Sequence, residues 1–121
     1  MLIRIHQDGP DTDKVREVVS ILKKDGVIVC PTDTVYSFAC VLGSSKGFER
    51  IARLKGLRPN KAHFSILCAD LSDLSKYSCP VPNEIFKLMK RALPGPFTFI
   101  LPSGGNVPKL FRSSKKTIGI R

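Results

Sequence analysis

The feature that most constrains the fold is an amphipathic helical stretch that leads directly into a short, continuous apolar run. Residues 12–25 place their apolar side chains at helical spacing, and Gly26 can end the helix. Val27–Cys30 then forms an uninterrupted apolar run that Pro31 closes. Such a run is typical of a strand that is buried on both faces. A helix followed at once by a buried strand predicts an α/β fold.

The same alternation continues along the chain. It predicts a helix over 45–55, a strand over 64–68, a helical turn over 70–77, a helix over 82–92, and strands over 97–101 and 117–120. We therefore predict one α/β domain over residues 1–121. Because the last strand runs almost to the final residue, we expect the fold to be incomplete at its C-terminus.

Apolar stripes on two of these helices indicate which faces pack inward. Ser44 or Ser45 can cap the first of the two helices, and Pro82 can open the second. The inward-facing residues that we expect are Phe48, Ile51 and Ala52 on one helix and Ile85, Leu88 and Met89 on the other.

The charge balance favours anionic partners. Twenty Lys and Arg residues face ten Asp and Glu residues, which gives a net charge of +10. Such an excess suits nucleic acid, nucleotides or an anionic surface, and solubility is the alternative explanation. No apolar run approaches the roughly 20 residues of a membrane span, and the N-terminus does not resemble a secretory signal. We therefore expect a cytoplasmic protein with no membrane partner.

The cysteines do not suggest a metal site. The chain has four cysteines without a CxxC motif, and its histidines are His6 and His63. This spacing predicts no zinc site. Cys30 and Cys68 lie in apolar runs, where a buried thiol is the usual role. No convincing covalent nucleophile emerges, because nothing fixes the geometry of a cysteine–histidine pair.

Two turns carry candidate ligand-binding groups. Pro31–Thr34 follows a strand, where ligands of α/β sheets gather, although its Thr and Asp side chains can equally well cap their own backbone. The loop over 55–61 brings Lys55, Arg58 and Lys61 together and is a candidate phosphate site. A helix C-terminus also attracts cations, which explains Lys55 better than Arg58 or Lys61.

Basic residues also share helix faces and one strand face. Lys46, Arg50 and Arg53 recur at helical spacing, as do Lys87, Lys90 and Arg91. Few acidic residues balance these faces, so they are candidates for binding a nucleic-acid backbone, and a solvated surface is the alternative. In the last strand, Thr117 and Arg121 point to the same side and could meet one ligand.

Four segments, in order, resemble the YrdC/YciO-like family. They are "GVIVCPTDTVYSFAC", "RLKGLRP", "LPGPFTFIL" and "KKTIGIR". The segments "IRIHQD" and "SILCADLSDLSKYS" look closer to the YciO branch. The resemblance implies a twisted, mixed α/β sheet with a basic concave face that binds double-stranded RNA or tRNA. It also implies synthesis of L-threonylcarbamoyl-adenylate from ATP, bicarbonate and L-threonine, which supports a tRNA modification.

The resemblance also implies roles for individual residues. Thr34 and Arg121 match the threonine-binding residues of the family. Lys55, Arg58 and Thr117 match nucleotide-binding residues, and Lys61 adds a further cation for ATP. Lys55 and Arg58 are the candidate catalytic residues, and Mg²⁺ is expected to come with ATP rather than at a protein metal site.

Some positions depart from the family pattern. A threonine-binding histidine of the family falls at Leu67, an asparagine contact falls at Ala62, and Leu57 lengthens the basic loop. The later Ser-x-Asn segment of the family lies beyond Arg121. Two functions therefore compete: ATP-dependent nucleotidyl transfer, and RNA binding without catalysis by a YciO-type protein.

Overall fold

A computed structural model describes all residues from Met1 to Arg121 as a mixed α/β structure. The α-helices are α1 (Thr12–Lys23), α2 (Ser45–Leu54), α3 (Leu74–Tyr77) and α4 (Asn83–Ala92). The strands are β1 (Ile28–Cys30), β2 (Ser37–Ala39), β3 (Ser65–Ile66), β4 (Phe99–Pro102) and β5 (Thr117–Ile120). Three short 3₁₀ helices occupy Pro59–Lys61, Leu71–Asp73 and Lys109–Phe111.

Side-chain caps explain where the first two long helices begin. Asp11 accepts a hydrogen bond from the backbone N–H of Asp13 at 3.0 Å before α1. The hydroxyl of Ser44 accepts one from the N–H of Gly47 at 3.0 Å before α2. Each cap satisfies a backbone donor that has no partner within its helix. The helices predicted from the sequence are confirmed, with ends that shift by one or two residues.

The strands form two separate sheets. β1 pairs antiparallel with β2, which gives a two-stranded unit that we call the ribbon. The second sheet has the order β3–β5–β4, with β3 parallel and β4 antiparallel to the central strand. The backbone of Arg121 continues the parallel pairing: its N–H donates to Ile66 at 2.9 Å, and its carbonyl accepts from Cys68 at 3.0 Å. The predicted mixed sheet is confirmed.

The core lies on the three-stranded sheet. Its main cluster contains Ile66, Leu74, Met89, Leu101, Val107, Ile118 and Ile120. A smaller cluster joins α2 to the loop that precedes β3, where Phe48 packs against Phe64 and Phe111 with ring centroids 4.8 Å apart in each pair. The inward orientation predicted for Phe48, Ile51 and Ala52 is confirmed, since all of them are buried.

Three expectations about burial are wrong. β1 is not buried on both faces, because its one pairing partner is β2, and Val29 keeps 60% of its surface exposed. On α4 only Met89 is buried, whereas Ile85 and Leu88 remain exposed. Cys30 and Cys68 are half-buried rather than buried. Apolar sequence runs therefore overstate how much of this chain is covered. Every helix is too short or too polar to span a membrane.

Candidate functional site

The turn after β1 is organised by one hydroxyl. The Oγ1 of Thr32 donates to the carbonyl of Val35 at 2.6 Å and accepts the backbone N–H groups of Thr34 and Val35, each at 3.2 Å. It also lies 3.2 Å from the Oγ1 of Thr34. Thr32 thus acts as the local cap that the sequence allowed. Asp33 and Thr34 in the same turn are exposed.

Arg121 joins this turn to the three-stranded sheet. Its Nη2 donates to the Oγ1 of Thr34 at 3.0 Å and forms a salt bridge with the Oδ1 of Asp33. These contacts connect residues that lie 87 and 88 positions apart in the sequence. Arg121 directly follows the central strand, and its backbone pairs with the segment of β3, so the sheet holds its backbone while its side chain reaches the ribbon turn. The structure therefore brings Thr34 and Arg121 together, the pair that the family resemblance assigns to one ligand.

A cavity of about 370 Å³ opens beside Arg121. Thr32 and the β2 residues form one wall, and Lys55, the end of β3 and Phe111 form the other. Most of the lining is apolar, with Lys55, His63 and Arg121 as its ionisable groups besides the thiol of Cys40. A largely apolar cavity with a few polar groups is the usual form of a small-molecule site.

A second cavity of about 600 Å³ adjoins the first at the same arginine. It is lined by Asp33 and Asp70, by the segment that follows β3, and by the segment from Leu93 to Gly95. The residues common to both cavities are Thr32, Leu67 and Arg121. Leu67 is 59% exposed, so it presents an apolar surface at the junction of the two cavities.

The structure does not bring the predicted phosphate residues into one cavity. Lys55 lines the cavity beside Arg121. Arg58 instead lines a shallow depression with Lys46 and Arg53, outside that cavity. Gly56, with a φ of +67°, allows the chain to reverse between Lys55 and Arg58. Lys61 is exposed at the end of the short 3₁₀ helix that follows.

Thr117 is likewise separated from the cavity. It shares a strand face with Arg121, but four residues of strand place it roughly 13 Å away. Its Oγ1 lies 2.7 Å from the hydroxyl of Ser113, and its N–H donates to that same hydroxyl at 3.1 Å. Its local role in the structure is therefore to close the turn before β5.

The two basic helix faces are exposed and lack acidic partners. None of their six cations forms one of the four salt bridges of the chain. The residues are Lys46, Arg50 and Arg53 on α2 and Lys87, Lys90 and Arg91 on α4. Such unpaired cations are available to external phosphate groups.

The thiols nearest the cavities are poor nucleophiles. Burial raises the pKa of Cys40 above its ordinary value, and the negative charge of Asp25 adds to the effect. Burial also raises the pKa of Cys68, with further increases from Asp73 and Asp70. Because the thiolate is the reactive form, a raised pKa lowers its population at neutral pH. No group of three or more His, Cys, Asp or Glu side chains is arranged to hold a metal ion.

One contact of the site was not predicted from the sequence. Asp33 was noted as a carboxylate in the turn, but its pairing with Arg121 depends on how the ribbon and the sheet are placed in space. The sequence carries no local signal for a contact between residues so far apart. The only indication was the placement of both residues at the carboxyl ends of strands.

Comparison with known proteins decides the family. The model for Sua5, YciO and YrdC proteins, whose description reads "Telomere recombination", matches residues 20–121. The chain belongs to the Sua5/YciO/YrdC family. It is 43% identical to the uncharacterized protein YciO of Escherichia coli over 97% of this chain and 56% of that protein. The crystal structure of Escherichia coli YciO superposes with a TM-score of 0.88 at 42% identity, with the same coverage of each chain.

Two further Sua5/YciO/YrdC relatives carry information about activity. The threonylcarbamoyl-AMP synthase of Nitrosococcus oceani is 33% identical over 89% of this chain and 58% of the relative. The crystal structure of P. abyssi Sua5 complexed with L-threonine has a TM-score of 0.84 at 26% identity, covering 93% of this chain and 33% of that one. The chain spans about half the length of the curated relatives it matches.

Proposed function

We propose that the chain carries the amino-acid and nucleotide site of an L-threonylcarbamoyl-adenylate synthase-like nucleotidyltransferase. The single observation that carries this proposal is the contact of Arg121 with Thr34, at 3.0 Å between Nη2 and Oγ1, beside a cavity. An arginine and a hydroxyl can both donate hydrogen bonds to a carboxylate. The relatives named threonylcarbamoyl-AMP synthase and the Sua5 complex with L-threonine support the choice of ligand.

The proposed reaction joins a carbamate to ATP. The amine of L-threonine forms a C–N bond to the carbon of bicarbonate, a C–O bond breaks, and water leaves, which gives the carbamate. A carboxylate oxygen of that carbamate then attacks the α-phosphorus of ATP. The bond from the α-phosphorus to the bridging oxygen of the β-phosphate breaks, and its electron pair leaves with pyrophosphate. Thr34 and Arg121 would position the amino acid, and holding both reactants in one site would supply much of the rate.

Lys55 is the cation best placed to act on the phosphates. It lines the same cavity as Arg121, so it would stabilise charge that builds up on the leaving group. Arg58 and Lys61 would hold the outer phosphates of ATP from the adjoining loop. The carboxylates of this chain do not form a metal-binding group, so Mg²⁺ would enter as part of the ATP complex.

Calorimetric titration with L-threonine and with ATP·Mg²⁺ tests the proposal. We expect Arg121→Gln to weaken L-threonine binding at least about tenfold. Lys115→Gln removes the same charge from an exposed side chain outside both cavities and should leave binding unchanged. Pyrophosphate release with ATP, bicarbonate and L-threonine is the matching activity assay. A chain that binds neither L-threonine nor ATP would exclude this function.

RNA binding is the second candidate function, and it is favoured by the six unpaired cations on α2 and α4. Affinity for a double-stranded RNA should fall steeply as salt rises, because phosphate contacts release counterions. Replacing Lys46, Arg50 and Arg53 by glutamine should make that dependence shallower. An affinity that does not respond to salt would argue against a backbone-binding face.

A further inference from the structure

Asp33 has one carboxylate oxygen engaged and one free. Its Oδ1 accepts from Arg121, whereas no protein group donates to its Oδ2. The side chain is 42% exposed, and the residue lines the second cavity together with Arg121. A carboxylate that is held in place by one oxygen can accept a hydrogen bond from a ligand with the other.

Arg121 likewise has side-chain donors that no protein group accepts. All of its side-chain hydrogen bonds use Nη2, so Nε and Nη1 have no partner in the protein. Its side chain is only 23% exposed, which leaves these donors partly withdrawn from water. Asp33 and Arg121 are in direct contact and line the same cavity, so one ligand there can reach both side chains.

This pair matches the two charged groups of a free α-amino acid. The ammonium and carboxylate groups of an α-amino acid are attached to the same carbon, so their partners must also be neighbours. We propose that Asp33 accepts the α-ammonium group of the amino acid whose carboxylate binds Arg121. This inference rests on the proposed function, and it assigns the recognition of the amine to Asp33.

The other carboxylate of the second cavity contacts its own backbone and not Arg121. Asp70 accepts a hydrogen bond from the N–H of Ser72 at 2.6 Å and caps the short 3₁₀ helix Leu71–Asp73. Hydrogen bonding with the side chain of Ser72 and then with its backbone lowers the pKa of Asp70 below its ordinary value. Asp70 is therefore a matched control, because Asp70→Asn removes the same charge from the same cavity.

The test compares L-threonine with its α-hydroxy analogue, the dihydroxy acid of the same configuration in which a hydroxyl replaces the amine. We expect the protein to bind L-threonine more tightly than this analogue by at least about tenfold, since one charge-assisted bond is lost. Asp33→Asn should weaken L-threonine binding by a similar factor and leave the affinity for the analogue within roughly threefold. The preference for the amine should therefore disappear, whereas Asp70→Asn should retain it.

The analogue distinguishes two possible roles of Asp33: binding the amine of the ligand, and holding Arg121 in position. If Asp33→Asn weakens both ligands equally, Asp33 only holds Arg121 in place and the proposal is wrong. A preference for the amine that survives in Asp33→Asn overturns it as well, while Arg121→Gln still tests the carboxylate site independently. Failure of the unaltered chain to bind either ligand would overturn this inference and the proposed function together. Thermal melts followed by circular dichroism verify that each variant folds.

Discussion

The ribbon and the three-stranded sheet are built from similar apolar runs but differ in how they are covered. In the sheet, Ile118 and Ile120 alternate with half-buried neighbours and lie almost fully buried under α3, α4 and the loop after β4. In the ribbon, no residue of β1 or β2 is fully buried. Two strands alone cannot bury both faces, so the ribbon depends on contacts with the rest of the chain for its position.

The whole molecule also exposes more surface than a folded monomer of its mass. The chain exposes 9004 Å², whereas a folded monomer of its mass exposes roughly 6,500 Å². The candidate site lies where the covered and the uncovered regions meet: Arg121 belongs to the sheet, and Asp33 and Thr34 belong to the ribbon turn. One half of the site is therefore fixed by the core, and the other half is held by a few polar contacts.

The largest effect that we predict comes from the centre of the sheet. Ile120 is 1% exposed, lies in the central strand and immediately precedes Arg121. Ile120→Ala should lower the free energy of unfolding by about 2–5 kcal/mol, because it leaves a cavity in a packed core. Urea denaturation followed by circular dichroism measures this change.

A substitution in the ribbon provides the matched comparison. Val29→Ala removes apolar atoms from a strand residue that is mostly exposed, so we expect a change within roughly 0.5 kcal/mol. If Val29→Ala and Ile120→Ala lower the free energy of unfolding equally, the division into a covered sheet and an uncovered ribbon is wrong.

The second effect concerns the contact of the ribbon with α2. A Cβ atom built on Gly47 would lie 2.7 Å from the Cβ of Cys40 and 2.9 Å from the hydroxyl of Ser44. Gly47→Ala should therefore push α2 away from β2 and cost about 1–3 kcal/mol, as overpacking does elsewhere. Gly105→Ala is the control, because nothing lies within 4 Å of its added Cβ. If Gly47→Ala leaves the free energy of unfolding unchanged, α2 is not closely packed against the segment after β2.

The elements of the fold could be predicted from the sequence because their signals are local. Ser44 or Ser45 before an apolar stripe indicated the start of α2, and the structure has Ser44 as its cap. Burial could not be predicted in the same way, since it depends on which elements meet. Val27–Cys30 looks like a central strand, yet it pairs with a single neighbour.

For the candidate site, too, some predictions agree with the structure and others do not. The sequence placed Thr34 and Arg121 at the ends of strands, and the structure brings them into contact. It also grouped Lys55 with Arg58 because they are neighbours in the chain. Gly56 reverses the backbone between them, so that they line different depressions. Proximity in sequence was a poor guide to proximity in space wherever a loop intervened.

A smaller effect should come from the contact that joins the two regions. Arg121→Gln removes the salt bridge to Asp33, which is partly exposed and so contributes about 0–1 kcal/mol. Amide hydrogen exchange should show faster exchange in β1 and β2 by up to about fivefold, with β4 and β5 unchanged. Lys115→Gln should change neither region. Faster exchange in β4 would indicate that Arg121 stabilises the sheet itself rather than the position of the ribbon.

The last prediction needs no mutation and compares how fast a thiol reagent labels the cysteines of the two regions. Cys79 is exposed and should react first with a thiol reagent near pH 7. Cys40, next to the ribbon, and Cys68, next to β3, are half-buried, and each has a raised pKa, mainly because of burial. A raised pKa means less thiolate at a given pH, so both should react slowly and accelerate as the pH rises toward 9. Mass spectrometry of labelled peptides ranks the sites. If the ribbon opens independently, Cys40 should be labelled before Cys68, and equal rates would indicate that the ribbon and the sheet open together.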